Sequence, residues 1–317
     1  MSRPYDLLIV GELNPDIILT GDVIPRFDQA EQLVDDLAVC AGSSSAIFAA
    51  SASKMGLRVL FGSLVGDDLF GRYMIEELRR AGIDPSFVEV NPALKTGAGV
   101  MLSRGQNRAI FTYLGAIAAV SSAQVNPVWY GQARHLHVAS PFLLSALRPA
   151  MPAMMRAAHE AGMTVSLDTN WDPAERWAVD DLLEHLDLFL PNENELLAIA
   201  REHDLERAIA RISVRAPVLV VKRGERGAIA VRGSERVEAP AFQVPVADTT
   251  GAGDTFDGGF VAAWLRGEPL QRCLLLASAC AALKVGHVGG FVGQPTWDEA
   301  EAFTRRPHPT WTTGPSR

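Results

Sequence analysis

Cysteine is scarce in this chain of 317 residues: Cys40, Cys273 and Cys280 are the only three. None forms a C-x-x-C pair, and Cys273 and Cys280 would lie two turns apart on one helix, too far for a bridge. A disulfide framework is therefore not expected, and the pattern reads as reduced thiols in a cytosolic protein. Long apolar runs are also missing. No stretch reaches the roughly 18 apolar residues of a membrane span, and the opening MSRPYDLLIV carries too short an apolar run for a signal peptide. Positive charge is in deficit: 29 Lys and Arg against 37 Asp and Glu leave a net charge of −8. That balance argues against nucleic acid or an anionic membrane as the main ligand, but not against a nucleotide, which needs only local N–H groups and one or two cations. The dipeptide Gly-Lys never occurs, so a Walker-type P-loop is absent. There is no G-x-S-x-G elbow, and no G-x-G-x-x-G follows the first apolar run, which lowers a dehydrogenase reading. Neither an internal repeat nor a clear interdomain linker interrupts the chain.

What is present is an ordinary globular balance, 48% apolar and 21% charged, enough for a sizeable core. Asp6–Val10 reads as a buried strand closed by Gly11, and Ile17–Leu19 as a more exposed one. Ala41–Gly56 is dominated by small residues and reads as a loop entering a helix, with a serine of the 43–45 run as N-cap. Arg58–Val65 is a strand, and the Gly66–Gly71 turn caps a helix that Gly82 ends. Gly97–Ser103 and Arg108–Leu114 read as a hairpin around Arg104-Gly105-Gln106-Asn107. From Arg134 onward strands at His135–Ala139, Met163–Leu167, Leu186–Leu190 and Pro217–Lys222 alternate with helices. This alternation predicts a mostly parallel sheet with helices on both faces. Two helices, near 254–266 and 269–285, close the fold. His135 and His137 would point the same way from one strand, but no third metal ligand is suggested by spacing.

The stretch Ala247–Leu265, ADTTGAGDTFDGGFVAAWL, carries the chemistry. Gly251-Ala252-Gly253 leads into Asp254, and Phe260, Val261, Trp264 and Leu265 follow at helical spacing. A tight turn feeding a helix N-terminus offers unpaired N–H groups and a partial positive charge. Small side chains let a bulky anion approach them. A carboxylate at the mouth of an anion site repels the ligand and is a poor choice there, but it makes sense if its task is to take a proton from a hydroxyl about to attack phosphorus. A plain helix cap behind a glycine turn is the other reading of the same residues, and at this level both stand.

The segment resembles the signature of the ribokinase-like (PfkB) carbohydrate kinases, D-T-x-G-A-G-D-x-F: Asp248, Thr249, Gly251, Ala252, Gly253, Asp254 and Phe256 all match. Further stretches match in the same order. Asn14 and Asp16 correspond to the N-x-D that binds sugar hydroxyls, although N-P-D is also strong turn chemistry. Gly42-Ser43 stands where the family has Gly-Gly against the sugar. Ile47 replaces the family's substrate-contacting Asn, so a typical ribose contact pattern is not expected. Leu167-Asp168-Thr169-Asn170 resembles L-D-x-N, which implies that Asn170 reaches substrate or phosphate. Pro191–Glu195 resembles P-N-x-x-E, which implies that Asn192 faces the phosphates and Glu195 holds a water of Mg²⁺; a capping box would use the same residues. Lys222, Gly224 and Gly227 stand at the nucleotide-binding turn, with Lys222 in place of the usual Thr. Ser278 stands where an Asn near adenine is common. Asp248, Thr250 and Gly290 match the region where relatives hold a monovalent cation such as K⁺.

The resemblance implies a ribokinase-like α/β domain over residues 1–305, a doubly wound, mostly parallel sheet with a small β-sheet lid. The lid segments are expected near 12–37 and 95–114, and 306–317 is expected to be a loose tail. The implied activity is phosphorylation of a hydroxyl on a small sugar-like molecule by ATP with Mg²⁺. Asp254 would be the base, and the Gly251, Ala252, Gly253 and Asp254 amides would hold the phosphoryl. A homodimer through the lid is also implied. Two other readings remain: a nucleoside kinase whose base pocket is lined by Ile47, Phe111, Tyr113 and Trp171, and a non-catalytic sugar- or nucleotide-binding regulator.

Overall fold

Every residue of the first strand, Leu7–Val10, is buried, so its alternating side chains feed two cores at once. Leu7 and Ile9 join one apolar cluster, and Leu8 and Val10 the other. The computed structural model describes residues 3–104 and 107–306. The tip of the expected hairpin, Gly105-Gln106, and the expected loose tail from 307 on lie outside the described residues.

In chain order the elements are β1 (Leu7–Val10), β2 (Pro15–Thr20), β3 (Asp36–Ala41), α1 (Ser44–Lys54), β4 (Val59–Gly66), α2 (Leu69–Arg80), β5 (Val88–Asn91), β6 (Ala98–Arg104), β7 (Asn107–Tyr113) and α3 (Ala116–Ala119). Then follow β8 (His135–Ala139), α4 (Met151–Glu160), β9 (Thr164–Asp168), α5 (Asp180–Leu183), β10 (Leu188–Phe189), α6 (Glu193–Ala200), α7 (Leu205–Ser213), β11 (Val218–Lys222), β12 (Ala228–Arg232) and β13 (Glu235–Ala239). The chain closes with α8 (Ala252–Leu265), α9 (Leu270–Lys284) and α10 (Trp297–Thr304). The expected strands and helices are present, and β3, β5, β13, α3, α5, α7 and α10 join them. β3 and β5 border the two sheets, and α10 follows the two expected closing helices behind a capping box of Thr296 and Glu299.

The main sheet has the order β13-β12-β11-β10-β9-β8-β1-β4-β5. From β11 to β5 all neighbours are parallel, and β12 and β13 add an antiparallel end. The chain runs from β1 outward to β4 and β5, then resumes at β8 on the other side of β1. That reversal opens a crevice at the C-terminal ends of the strands, where open α/β sheets bind ligands.

The smaller sheet, β3-β2-β6-β7, stands over this crevice. Its ladder pairs Val39, Ile17, Val100 and Phe111 across all four strands on one face. The opposite face carries Asp16, Gly99, Met101, Arg108, Ile110 and Thr112, all lining the crevice. Both faces are thus committed, one to the cleft and one to an apolar outer surface on which Leu37, Val39, Phe111 and Tyr113 are about half exposed. Among the described residues no helix is long and apolar enough to cross a membrane.

Candidate active site

Five consecutive parallel strands deliver polar side chains to one cleft of about 1470 Å³. Glu12 and Asn14 follow β1, Ser140 follows β8, Asp168 ends β9 with Asn170 just beyond it, Asn192 follows β10, and Lys222 ends β11. The volume exceeds that of a site for one small ligand, which is up to about 1000 Å³.

The N-terminus of α8 faces this cleft. Gly251 is its N-cap, in a left-handed conformation (φ 72°) that glycine adopts without strain. A Cβ there would lie 2.9 Å from the Ile47 side chain. Ile47 is buried, packs beside Gly251 and Gly290 and lines the cleft, as an apolar contact where an amide was the family's choice. The N-cap of α8 is Gly251 and Asp254 stands three residues further on, inside the first turn, so the plain-cap reading does not describe it. The expected set of four amides needs one correction: the Ala252 N–H donates to the Thr249 carbonyl at 3.2 Å, which closes the turn. The Gly251, Gly253 and Asp254 amides find no protein acceptor among the described residues.

Carboxylates crowd the same cleft. Asp254 is 8% exposed; burial, then the neighbouring Asp168 charge, pushes its pKa up to about 7, with Lys222 opposing. Burial and the Asp254 charge raise Asp16 to about 7, with Arg108 opposing. The Asp16 carboxylate fits because Gly42 and Gly99 flank it, and a methyl group at either would overlap it. Gly42 thus makes room for Asp16 and does not itself line the cleft. Ser43 caps α1 by accepting from the Ala46 amide at 3.1 Å. Its backbone is left-handed (φ 70°), which accounts for the glycine expected there. Asn14 donates to the Pro15 carbonyl at 3.2 Å, and Asn170 (φ 50°) accepts from Ser140 Oγ at 2.7 Å.

Lys222 Nζ bridges Asp168 (2.7 Å) and Asp257 (2.8 Å). Burial opposes its charge, but Asp168, Asp257 and Glu195 outweigh that and hold its pKa above the ordinary lysine value. Its ammonium is 3.6 Å from where a Cβ on Gly253 would lie, beside the free amides. Asn192 and Glu195 form a complete capping box: the Asn192 amide donates to Glu195 Oε2 at 2.8 Å, and the Glu195 amide donates back to Asn192 Oδ1 at 3.0 Å. Both also line the cleft, so capping and ligand contact are compatible. Burial, then Asp168, raises Glu195 to about 8.

Other expected site residues fall elsewhere. Gly224 lines the cleft, whereas Gly227 does not; a methyl there would overlap the Ala239 carbonyl. Ser278 is buried on α9 away from the cleft, and its hydroxyl has no hydrogen-bond partner among the described residues. Of the cation-region residues, Thr250 lines the cleft, while Asp248 and Gly290 stand behind it. Phe111 and Tyr113 point outward by strand alternation, so the base pocket built from them does not form, although Trp171 lines the cleft. The His135 and His137 rings lie in the core, both bonded to Ser166 Oγ at 2.7 Å. Among the described residues no group of three or more His, Cys, Asp or Glu is arranged for a metal ion. Glu12, Asp257 and Arg108 were not anticipated. The i, i+3 spacing of Asp254 and Asp257 on one helix was the available signal for the second.

A switch-point cleft, a helix start with free amides and a poised carboxylate define an α/β phosphotransferase acting on a hydroxyl. The profile of the pfkB family carbohydrate kinases matches residues 6–297, and the chain belongs to that family. It is 32% identical over 305 residues to the ATP-dependent ribose-1-phosphate kinase of Halopiger xanaduensis, covering 94% of this chain and 97% of the relative. It is 31% identical over 284 residues to the 2-dehydro-3-deoxygalactonokinase of Haloferax volcanii (84% and 87% covered). A crystal structure of a candidate ribokinase II from E. coli, in complex with ATP and Mg²⁺, superposes with a TM-score of 0.86 at 26% identity, covering 96% of this chain and all of that one.

Proposed function

We propose that this sugar kinase transfers the terminal phosphoryl of ATP with Asp254 as general base. The observation that carries the reading is a buried carboxylate in the first turn of α8, on the same residues whose amides are free, with burial pushing its pKa up to about 7. A base with a pKa close to the working pH is the most effective proton acceptor. Asp254 takes the proton of the acceptor hydroxyl. The Gly251, Gly253 and Asp254 amides donate to the phosphoryl oxygens as charge builds there. Lys222, fixed between Asp168 and Asp257, adds a positive charge beside them. Asn14 and Asp16 hold the acceptor's other hydroxyls. Asn192 and Glu195 would hold Mg²⁺ through water, and the ion supplies charge neutralisation on the phosphates. The acid-rich cleft fits such an ion, since Mg²⁺ needs only one or two carboxylates besides the phosphates. The smaller sheet acts as a lid that keeps competing water from the phosphoryl. Its apolar outer face, with Val39 and Phe111 exposed, supports a homodimer through the lid.

Arg108 favours an acceptor that already carries an anionic group. Its guanidinium lines the cleft, donates to Thr250 Oγ1 at 3.1 Å and forms no ion pair among the described residues. The relative at 32% identity is named for ribose 1-phosphate, a sugar bearing a phosphate. A substrate panel of neutral sugars, sugar phosphates, sugar acids and nucleosides, read by ADP release, tests the class. Asp254→Asn tests the base: turnover should fall about 10²- to 10⁴-fold, while ATP affinity by calorimetry stays unchanged. Wild-type turnover in that variant removes Asp254 from the role.

A further inference from the structure

Lys284 ends α9, where a lysine ordinarily reaches into solvent beside the helix's negative end. Here the whole residue is buried, with 0% of its surface exposed. Its Nζ turns back to donate to the His287 carbonyl at 3.1 Å. Asp248 ties the surrounding loop to the turn that precedes α8. One of its carboxylate oxygens accepts from the Gly289 amide at 2.9 Å, and the other from the Thr250 amide (2.9 Å) and hydroxyl (2.7 Å). Burial works against the Asp248 charge, yet these bonds and the Lys284 charge hold its pKa below the usual value. Burial likewise pushes Lys284 down, with Asp248 and Asp254 opposing.

This is the region where the family resemblance implies a monovalent cation, and several of its oxygens are already engaged within the protein. The Val285 carbonyl already accepts two amides, from Ala247 (2.8 Å) and Asp248 (3.2 Å). The His287 carbonyl takes the lysine ammonium, and both Asp248 oxygens take N–H groups. A second cation would share a buried space with the ammonium, where like charges repel strongly.

We propose that the Lys284 ammonium is the built-in cation of the loop behind the anion hole, so that this chain works without potassium. The inference rests on the kinase reading above. It makes Lys284 a positioning residue, acting on the Gly251 turn through Asp248. The test uses the full-length protein in K⁺, Na⁺ and tetramethylammonium chloride at one ionic strength. Wild-type kcat/KM and melting temperature should be the same in all three salts. Lys284→Met and Lys284→Gln should lose about tenfold in kcat/KM and regain part of it in K⁺ but not in tetramethylammonium. Their melting temperatures should rise with K⁺ as well. Stimulation of the wild type by K⁺ overturns the proposal, whether or not the variants fold, and so does a variant with full activity in every salt. The melting-temperature comparison needs no turnover, so the absence of phosphoryl transfer would sink the kinase reading without deciding this one.

Discussion

Asp254 owes its pKa of about 7 first to burial and then to the Asp168 charge, with Lys222 pulling the other way. A base must be deprotonated to act, so kcat/KM for the acceptor should rise with pH and level off above about 7. The two neighbours move that limb in opposite directions. Removing the Lys222 charge takes away what lowers the pKa, so Lys222→Met should shift the limb to higher pH. Asp168→Asn should shift it to lower pH. Measured pH–rate profiles check both signs, and a limb that ignores both substitutions belongs to another group. Lys222→Met also leaves Asp168 and Asp257 buried without their cation, at a cost of about 3–5 kcal/mol. A denaturant titration should register that loss. The sequence showed Lys222 at the nucleotide turn, but not that two carboxylates hold it: Asp168 is 54 residues away and Asp257 is 35.

At the scale of elements, β7 separates the two faces of the smaller sheet by strand alternation alone. Arg108, Ile110 and Thr112 face the cleft, and Phe111 and Tyr113 face out. Arg108→Ala should therefore raise KM for the acceptor with little change in oligomeric state. Phe111→Ser should weaken self-association and leave KM nearly unchanged. Light scattering beside steady-state kinetics checks the pair, and a KM effect from Phe111→Ser would mean that the outward face reaches substrate. The hairpin itself was legible because period-2 alternation and a turn signal coincide there. β3 was not, because an edge strand of a small exposed sheet carries a mixed, weakly apolar pattern, as in DLAVCA. The α8 turn was readable from its run of small residues. That the Ala252 amide is spent within the turn was not, since it depends on how the Thr249 carbonyl is aimed. Lys284 was illegible for a similar reason: only the fold determines that a last-turn lysine turns inward.

For the molecule as a whole, building the cleft from buried carboxylates makes stability depend on pH in a direction that can be worked out. Asp16 and Asp254 are raised from 3.8 to about 7 and Glu195 from 4.5 to about 8, and Glu12 and Asp257 are raised as well, burial being the first cause in each. A raised carboxylate keeps its proton in the folded state where the unfolded chain has released it. The stability it contributes is complete below its unfolded pKa and is lost as pH climbs through the folded value. The buried histidines act in the opposite sense. Burial drives His135 down to about 3 and His137 well below its ordinary value, so protonation of the unfolded chain destabilises the fold below the ordinary imidazole value of 6.5. Carboxylates held low by arginine, such as Asp181 by Arg148 and Glu206 by Arg236, add stability that disappears only as pH falls below about 4. Between about pH 4 and 6.5 the histidine and cleft terms oppose each other; between 6.5 and 8 only the cleft term remains. The ligand-free protein should therefore melt at a lower temperature at pH 8 than at pH 6.5. Asp16→Asn and Asp254→Asn should each flatten that slope, because a neutral amide has no proton to lose. A melting temperature that holds steady or climbs across this interval would mean that the cleft carboxylates are ionised in the folded state, and the base near neutrality would go with them.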